Sequence, residues 1–375
     1  MRYSAIVIKK QGNHMNASLK PFIQKIVPDS LFNPLSHVSL IRRFIYDRLS
    51  GTAYYCKALS GESNYNISIN SDMTVSCNCQ DYYGSGHIGD LNVQTLEEIF
   101  HGERAQLFRK RLARGLFATP ICPDCRELQR VHRRDAEYFM TNYQLPRGGI
   151  LVENTSRCVL KCLQCDRDSV MKIRKKMSMS LEDMEKVANT IKEYQIKTVS
   201  FHNLGEPFFS DMVYEHLRIL RNCNPRLYIW TSTSGLQLDS EKKREAALLA
   251  DHILFSIDGS SQEQVNKYQV GGDFARSYSN MKKLAGVRNA RNAALPVIVW
   301  KYVVFRWNDS VDAVERAISL ARDSGIDVIS FEPGTGAPSH VSHRYFNDPY
   351  FQRLGQPSCD GREIDFRKEQ GITKT

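Results

Sequence analysis

From Ile150 to Phe331 the chain repeats one unit, a short apolar run followed by a longer stretch with apolar residues at helical spacing. The runs read as strands are Ile150–Asn154, Lys197–His202, Leu227–Thr231, His252–Ile257, Val297–Phe305 and Asp327–Phe331. Helices are expected to begin near Ser180, Ser210, Ser240, Phe274 and Ser310, several opened by a serine whose hydroxyl can accept from the first free backbone N–H groups. Strands that alternate with helices and have no hairpins between them run parallel, because a crossover helix returns the chain to the same end of the sheet. Six such units fall short of the eight that close a full β/α barrel. The expectation is therefore an α/β fold with a parallel sheet, and in a β/α barrel reactive groups gather in the loops after the strands.

The first of those loops holds Cys158-Val-Leu-Lys-Cys162-Leu-Gln-Cys165. Three thiols at C-x3-C-x2-C cannot close a tetrahedral zinc site alone, but they can hold three corners of a [4Fe–4S] cube and leave the fourth iron open for chemistry. Chance spacing and a zinc knuckle are the bland alternatives. The second strand is followed by Asn203-Leu204-Gly205-Glu206-Pro207, the third ends in Thr231-Ser-Thr-Ser-Gly235, and the fourth runs into Ser256-Ile257-Asp258-Gly259.

Ahead of the barrel lie five more cysteines: Cys56, Cys77, Cys79, Cys122 and Cys125. Ile67, Ile69, Met73 and Val75 alternate about Asn70–Asp72 and predict a hairpin that puts Cys77 and Cys79 at a strand end. A helix is expected over Gln94–Arg114 and a helical connector over Arg126–Asn142. A C-x-C pair with a C-x2-C pair could make a closed four-thiolate zinc site. No signal peptide or membrane-length apolar run is present, so a reducing cytoplasm is expected, where ten cysteines point to metal or redox work rather than disulfides. The net charge of +10 concentrates in Arg109–Arg114 and Arg130–Arg134, yet no aromatic stacking platform accompanies it. A generally basic surface is the preferred reading over a nucleic-acid partner.

These motifs resemble the radical S-adenosylmethionine (radical SAM) superfamily, in which an aromatic residue usually stands at the position of Leu163. The resemblance implies that Cys158, Cys162 and Cys165 bind a [4Fe–4S] cluster whose open iron takes SAM. It also implies that Gly205, Glu206 and Pro207, with Asn203, form a GGEP-like motif in which Glu206 pairs with the SAM ammonium. Ser256 and Asp258 would contact the ribose, unless they form an ordinary polar turn, and Thr231 is a further SAM-contact candidate. Cys56, the hairpin, Asp81 to Gly84, Ile88–Leu91, the helical string and the closing Cys122/Cys125 pair resemble a SPASM or twitch domain. In that domain Cys56, Cys122, Cys125 and one or both of Cys77 and Cys79 hold a second, auxiliary [4Fe–4S] cluster. Such a domain normally follows the core, and here it precedes it. Met73 stands where the family's hairpin turn usually has glycine, and Gln269 where arginine is usual.

The fold class that the resemblance implies is α/β, a partial, open (β/α)6 TIM-like barrel of the radical SAM type preceded by a small α+β cysteine-rich auxiliary-cluster domain. The boundaries are 1–50 for an N-terminal scaffold, with a strand at Tyr3–Lys9 and a helix from Ser36, then 51–145, 146–340 and a C-terminal tail over 341–375, polar and loosely ordered after about Gln352. The resemblance implies an oxidoreductase that cleaves SAM to a 5′-deoxyadenosyl radical and takes hydrogen from a substrate C–H bond. A sugar or polysaccharide precursor is the favoured substrate, with a peptide or RNA as alternatives. An electron donor such as flavodoxin or ferredoxin is the implied partner. The rival of another class is a zinc-stabilised basic nucleic-acid-binding protein. Lys301, Asn308, Glu332 and Thr335 are candidate contacts, His340 and His343 candidate acids or bases. Cys223 reads as a packed thiol, and Cys359 as one that could approach the active-site mouth.

Overall fold

A computed structural model describes residues 51–65 and 67–367. The expected scaffold segment, with its strand and helix, lies before them. The described chain opens with strand β1 (Thr52–Cys56), then the expected hairpin of β2 (Ser68–Ile69) and β3 (Thr74–Ser76), with Ile69 opposite Val75. Met73 closes its turn at φ +70°, its N–H donating to the Asn70 carbonyl at 2.8 Å. A non-glycine residue pays for that conformation, and the fully buried Met73 side chain offsets the cost by packing in the core. Strand β4 (His87–Asp90) adds antiparallel to β3.

The helix expected over Gln94–Arg114 is two helices, Leu96–His101 and Glu103–Ala113, broken where Gly102 turns extended (ψ 161°). Thr95 and Glu98 cap the first of them reciprocally, which sets its start. The connector expected as one helix over Arg126–Asn142 begins instead as β5 (Leu128–His132), antiparallel to β1, and becomes helical only at Arg133–Thr141. The free edge of β1 takes up its backbone groups, an alternative that helical spacing alone does not reveal. Within the basic run, Arg109 turns inward: its guanidinium donates to the Leu59 and Phe100 carbonyls and lies 3.5 Å from the Tyr143 ring centroid.

The barrel strands are β6 (Ile150–Val152), β8 (Thr198–Ser200), β9 (Tyr228–Thr233), β10 (His252–Ser256), β12 (Val297–Val304) and β13 (Val328–Pro333). Each pairs parallel with the next, so the six expected strands stand in the expected arrangement. Ser180, Ser240 and Ser310 cap helices Leu181–Glu193, Glu241–Ala247 and Val311–Ser324, and Asp273 caps Phe274–Ala290. Ser210 does not: a short 3-10 turn over Pro207–Phe209 intervenes, and the helix starts at Val213. A two-stranded ribbon joins β7 (Lys161–Cys162) to β11 (Gln269–Val270).

Both edges of the barrel sheet are extended. On one side β2 pairs parallel with β6, so the hairpin of the N-terminal unit continues the same sheet. On the other, β15 (Arg362–Asp365) lies antiparallel on β13 and pairs with β14 (Gln356–Pro357). The tail expected to be loosely ordered is thus built into the fold as far as Arg367, held by buried Phe351 and Phe366.

Candidate functional site

The loop after β6 carries the cysteine triplet, and three other loops and Arg167 fix it. The Gly205 backbone lies so close to Thr155 and Ser156 that a side chain there would strike the Thr155 carbonyl. Gly205 thus lets the second loop approach the first, and the Glu206 N–H donates to the Arg157 carbonyl at 2.8 Å. Gly336, at φ +107°, abuts the Gln164 side chain in the same way. Arg167 donates to the Cys158 and Leu160 carbonyls at 2.6 and 2.9 Å. The β7–β11 ribbon pairs Cys162 with Gln269.

Gln269, standing in place of the family's arginine, is buried and spans two backbone groups of the fourth loop. Its amide donates to the Ser256 carbonyl at 2.9 Å and its oxygen accepts from the Asp258 N–H at 3.1 Å. An arginine could not do the second, having no acceptor. One residue therefore ties the cluster loop to the Ser256–Asp258 turn.

Glu206 is buried and its carboxylate accepts four bonds: from Thr233 Oγ1 (2.8 Å), Ser234 N (2.7 Å), Ser234 Oγ (2.8 Å) and Phe208 N (3.3 Å). Burial pushes its pKa up against those bonds. Thr231, the expected contact on this strand, instead donates to the Phe201 carbonyl inside the sheet, and Thr233 and Ser234 are the hydroxyls that reach Glu206. Pro207 opens the 3-10 turn and its carbonyl accepts from Asn154. Asp258 is buried, accepts from Val303 N at 3.1 Å, and has its pKa raised to about 6 by burial against the opposing charge of Lys301. Asn308 spends its amide on Asp258 O, Val303 O and Phe305 N, a structural duty, while Thr335 and His343 are exposed.

Asn203 donates to Glu153 at 3.0 Å, which leads to a centre the sequence reading missed. Glu153, fully buried at the end of the first barrel strand run, pairs with Arg174 at 2.9 Å and accepts from Ser71 N at 3.1 Å. Arg174 in turn donates to Asn70, and Lys175 N to Asp72. This buried network bolts the hairpin turn to the segment after the triplet. A carboxylate closing the apolar run ILVE was the available signal.

Burial pushes the Cys162 thiol up to about 12 and Cys158 to about 11. Cys165, Asp258 and Cys158 add to the first shift, Glu206 and Cys165 to the second, so the three thiols, Glu206 and Asp258 share one electrostatic neighbourhood. Bound iron supplies the positive charge that makes such thiols thiolates. All ten cysteines are free. In the N-terminal unit, burial raises Cys77, whose charged neighbours are Cys56, Cys122, Asp81 and Cys125. Cys79 is pushed up to about 12 by burial, with Cys125 adding to the shift. Asp81 pins the loop between them by accepting from Ser76 Oγ and Gly86 N. Tyr82 links the two units, since Cys79, Asp166 and Cys165 all act on its phenol. Among the described residues no three His, Cys, Asp or Glu side chains converge on a single metal ion; thiolates on an iron–sulfur cube each take a separate iron. Cys223 packs under helix Leu181–Glu193 against the Ala188 carbonyl. Cys359 sits on an exposed turn bonded to Asp360, which is paired with Arg126 beside Cys125.

A family model for the radical SAM superfamily matches residues 152–310, and one for an iron–sulfur cluster-binding (SPASM) domain matches residues 52–126. Residues 152–310 therefore carry a radical SAM domain. The SPASM domain precedes the radical SAM domain, as the sequence indicated. A radical SAM domain implies a [4Fe–4S] cluster with SAM, and a SPASM domain implies auxiliary iron–sulfur. Similar solved structures include native anSMEcpe with bound AdoMet (18% identity over 51% of this chain and 55% of that one, TM-score 0.38). Another is the radical S-adenosylmethionine methyltransferase TsrM from Kitasatospora setae, with tryptophan substrate and aza-SAM bound (13%, 49% and 35%, 0.38). A third is BtrN in complex with AdoMet and 2-DOIA (19%, 40% and 54%, 0.29). The chain spans between about a third and about half of these solved chains. No curated protein matches it. No helix among the described residues is long and apolar enough to cross a membrane.

Proposed function

We propose that this radical SAM enzyme catalyses a net two-electron oxidation at a C–H bond of a sugar or polysaccharide precursor, with Cys158, Cys162 and Cys165 as ligands of the SAM-binding cluster. The observation that carries this reading is the convergence of the three thiols, Glu206 and Asp258 at one end of six parallel strands. With cluster and SAM bound, reductive cleavage supplies a 5′-deoxyadenosyl radical. The chain's own part is placement. Four neutral donors hold the Glu206 carboxylate in a fixed orientation, ready for an ammonium group without reorganisation. Gln269 and Asn308 set the backbone of the Ser256–Asp258 turn, presenting its hydroxyl and carboxyl to a ribose. Gly205, Arg167 and Gly336 keep the thiol loop from moving when the site is filled.

Cys56, Cys77, Cys122 and Cys125 are the proposed ligands of the auxiliary cluster, with Cys79 outside that set. A second redox centre suits an oxidation, because a substrate radical must give up one more electron. A cytoplasmic carrier such as flavodoxin or ferredoxin would supply the first electron. Anaerobic enzyme with SAM and dithionite should form 5′-deoxyadenosine, and Cys162→Ala should form none. Undiminished cleavage in that variant refutes the ligand assignment. Deuterium passing from a labelled sugar into 5′-deoxyadenosine supports the substrate class, and a mass change in a peptide substrate instead would replace it.

A further inference from the structure

Val199 on β8 and Phe201 just beyond its end are buried in the hydrophobic core, so alternation puts Ser200 and His202 on the opposite face, toward the barrel interior. Both carry buried atoms with no partner, Ser200 Oγ and His202 Nδ1, and Ser200 is 0% exposed. Buried polar groups are almost always satisfied, so two orphans on one face mark a place for an incoming group. Trp230 stands beside Ser200 in register, and its ring meets His202 nearly edge-on, centroids 4.4 Å apart.

Across the barrel, register puts Ser256, Lys301 and Ser330 in one row. The Lys301 ammonium lies 3.7 Å from the Glu332 carboxylate, with the two side chains 28% and 22% exposed. That gap exceeds a hydrogen bond and leaves donors on one and acceptors on the other open toward the barrel mouth. The charge of Lys301 acts on both His202 and Asp258, so these groups face a common space. Carboxyl groups outnumber cations around it: Glu332, Asp258, Asp360 and Glu363 stand against Lys301 and Arg126. Arg126 is itself paired with Asp360.

A hydroxyl both donates and accepts, and a ring bearing several of them also has an apolar C–H face. Adjacent ammonium, carboxylate, hydroxyl and imidazole groups beside an indole offer both kinds of contact. A phosphate or carboxylate would add negative charge to an acidic surround. We infer that Ser200, His202, Trp230, Lys301 and Glu332 form the substrate-recognition surface, and that it takes an uncharged, hydroxyl-rich ring in preference to its phosphorylated or carboxylated forms. This rests on the reading of the site given above and names the substrate class for it.

The test uses the anaerobically reconstituted full chain with SAM and no reductant, so that binding is read apart from chemistry. A panel of neutral monosaccharides and cyclitols, their phosphate esters and an unmodified peptide is titrated against tryptophan emission. At least one neutral member should bind, with its phosphate ester weaker by about 10-fold or more. Lys301→Met and Glu332→Gln should each weaken binding about 10-fold at unchanged iron content, Lys301→Arg should retain most of it, and Trp230→Phe should lose the emission change. Binding of no neutral member, tighter binding of the esters or of the peptide, or affinity indifferent to Lys301→Met and Glu332→Gln would each overturn the inference. Failure of SAM cleavage in the unaltered enzyme would instead defeat the reading it rests on and leave any sugar binding standing.

Discussion

The two groups of cysteines are built in opposite ways. The triplet is local: eight residues of one loop carry all three thiols, and surrounding loops hold that loop still. The auxiliary group is assembled from the end of β1, the end of the hairpin and a 3-10 turn about 70 residues away. A local site can lose a ligand without losing its fold. An assembled one is a joint of the fold, because its metal closes loops that the unfolded chain leaves open.

The strongest break of this contrast is in the thiols. Cys162→Ala should lose roughly half the iron and keep its thermal midpoint, whereas Cys77→Ala should lose a similar share and also unfold earlier. Cys79→Ala should keep full iron. Iron assay and anaerobic melting decide it, and equal melting of the first two variants would erase the distinction. Next in size is the bolt between the regions. Arg174→Met leaves Glu153 charged and uncompensated in the interior, at a cost of about 3–5 kcal/mol in denaturant unfolding. If both iron sites survive that loss unchanged, the bolt is structural only.

A smaller effect separates the barrel by pH. Burial lowers the pKa of His216 to about 4 from an ordinary value near 6.5, so the folded barrel excludes a proton that the unfolded chain takes up. The stability tied to the neutral ring is complete above the ordinary value and is lost as pH falls from there toward 4. That amounts to about 2–3 kcal/mol. His216→Phe should flatten that part of the stability–pH curve, and an unaltered slope would assign the acid sensitivity elsewhere. The mildest test concerns Gln269→Leu, which leaves the Asp258 N–H and the Ser256 carbonyl unpaired for about 1–3 kcal/mol. SAM affinity by equilibrium dialysis should fall about 10-fold with iron intact.

What the sequence made legible was local. Six strands, the serine caps at Ser180, Ser240 and Ser310, the hairpin and the triplet each follow from periodicity or spacing within about 20 residues. What it hid depends on distant partners. Leu128–His132 is a strand only because β1 offers an edge, and REID near the C-terminus only because β13 does. Thr231 and Thr233 are indistinguishable as text and share one face of the strand, yet Thr231 lies level with the Phe201 carbonyl and Thr233, nearer the strand end, reaches Glu206. Gly205 is demanded by the protein's own backbone, which comes too close there for any side chain.

The parallel pairing of β2 with β6 bears on how such a protein can be cut or rearranged. A barrel produced without residues 51–145 would present β6 as a raw hydrogen-bonding rim, inviting self-association rather than a soluble fragment. Conversely, pairing asks only that a strand reach that rim, not that it come from one particular side in the gene. A module encoded upstream can therefore do the sealing that its order in the chain would not suggest.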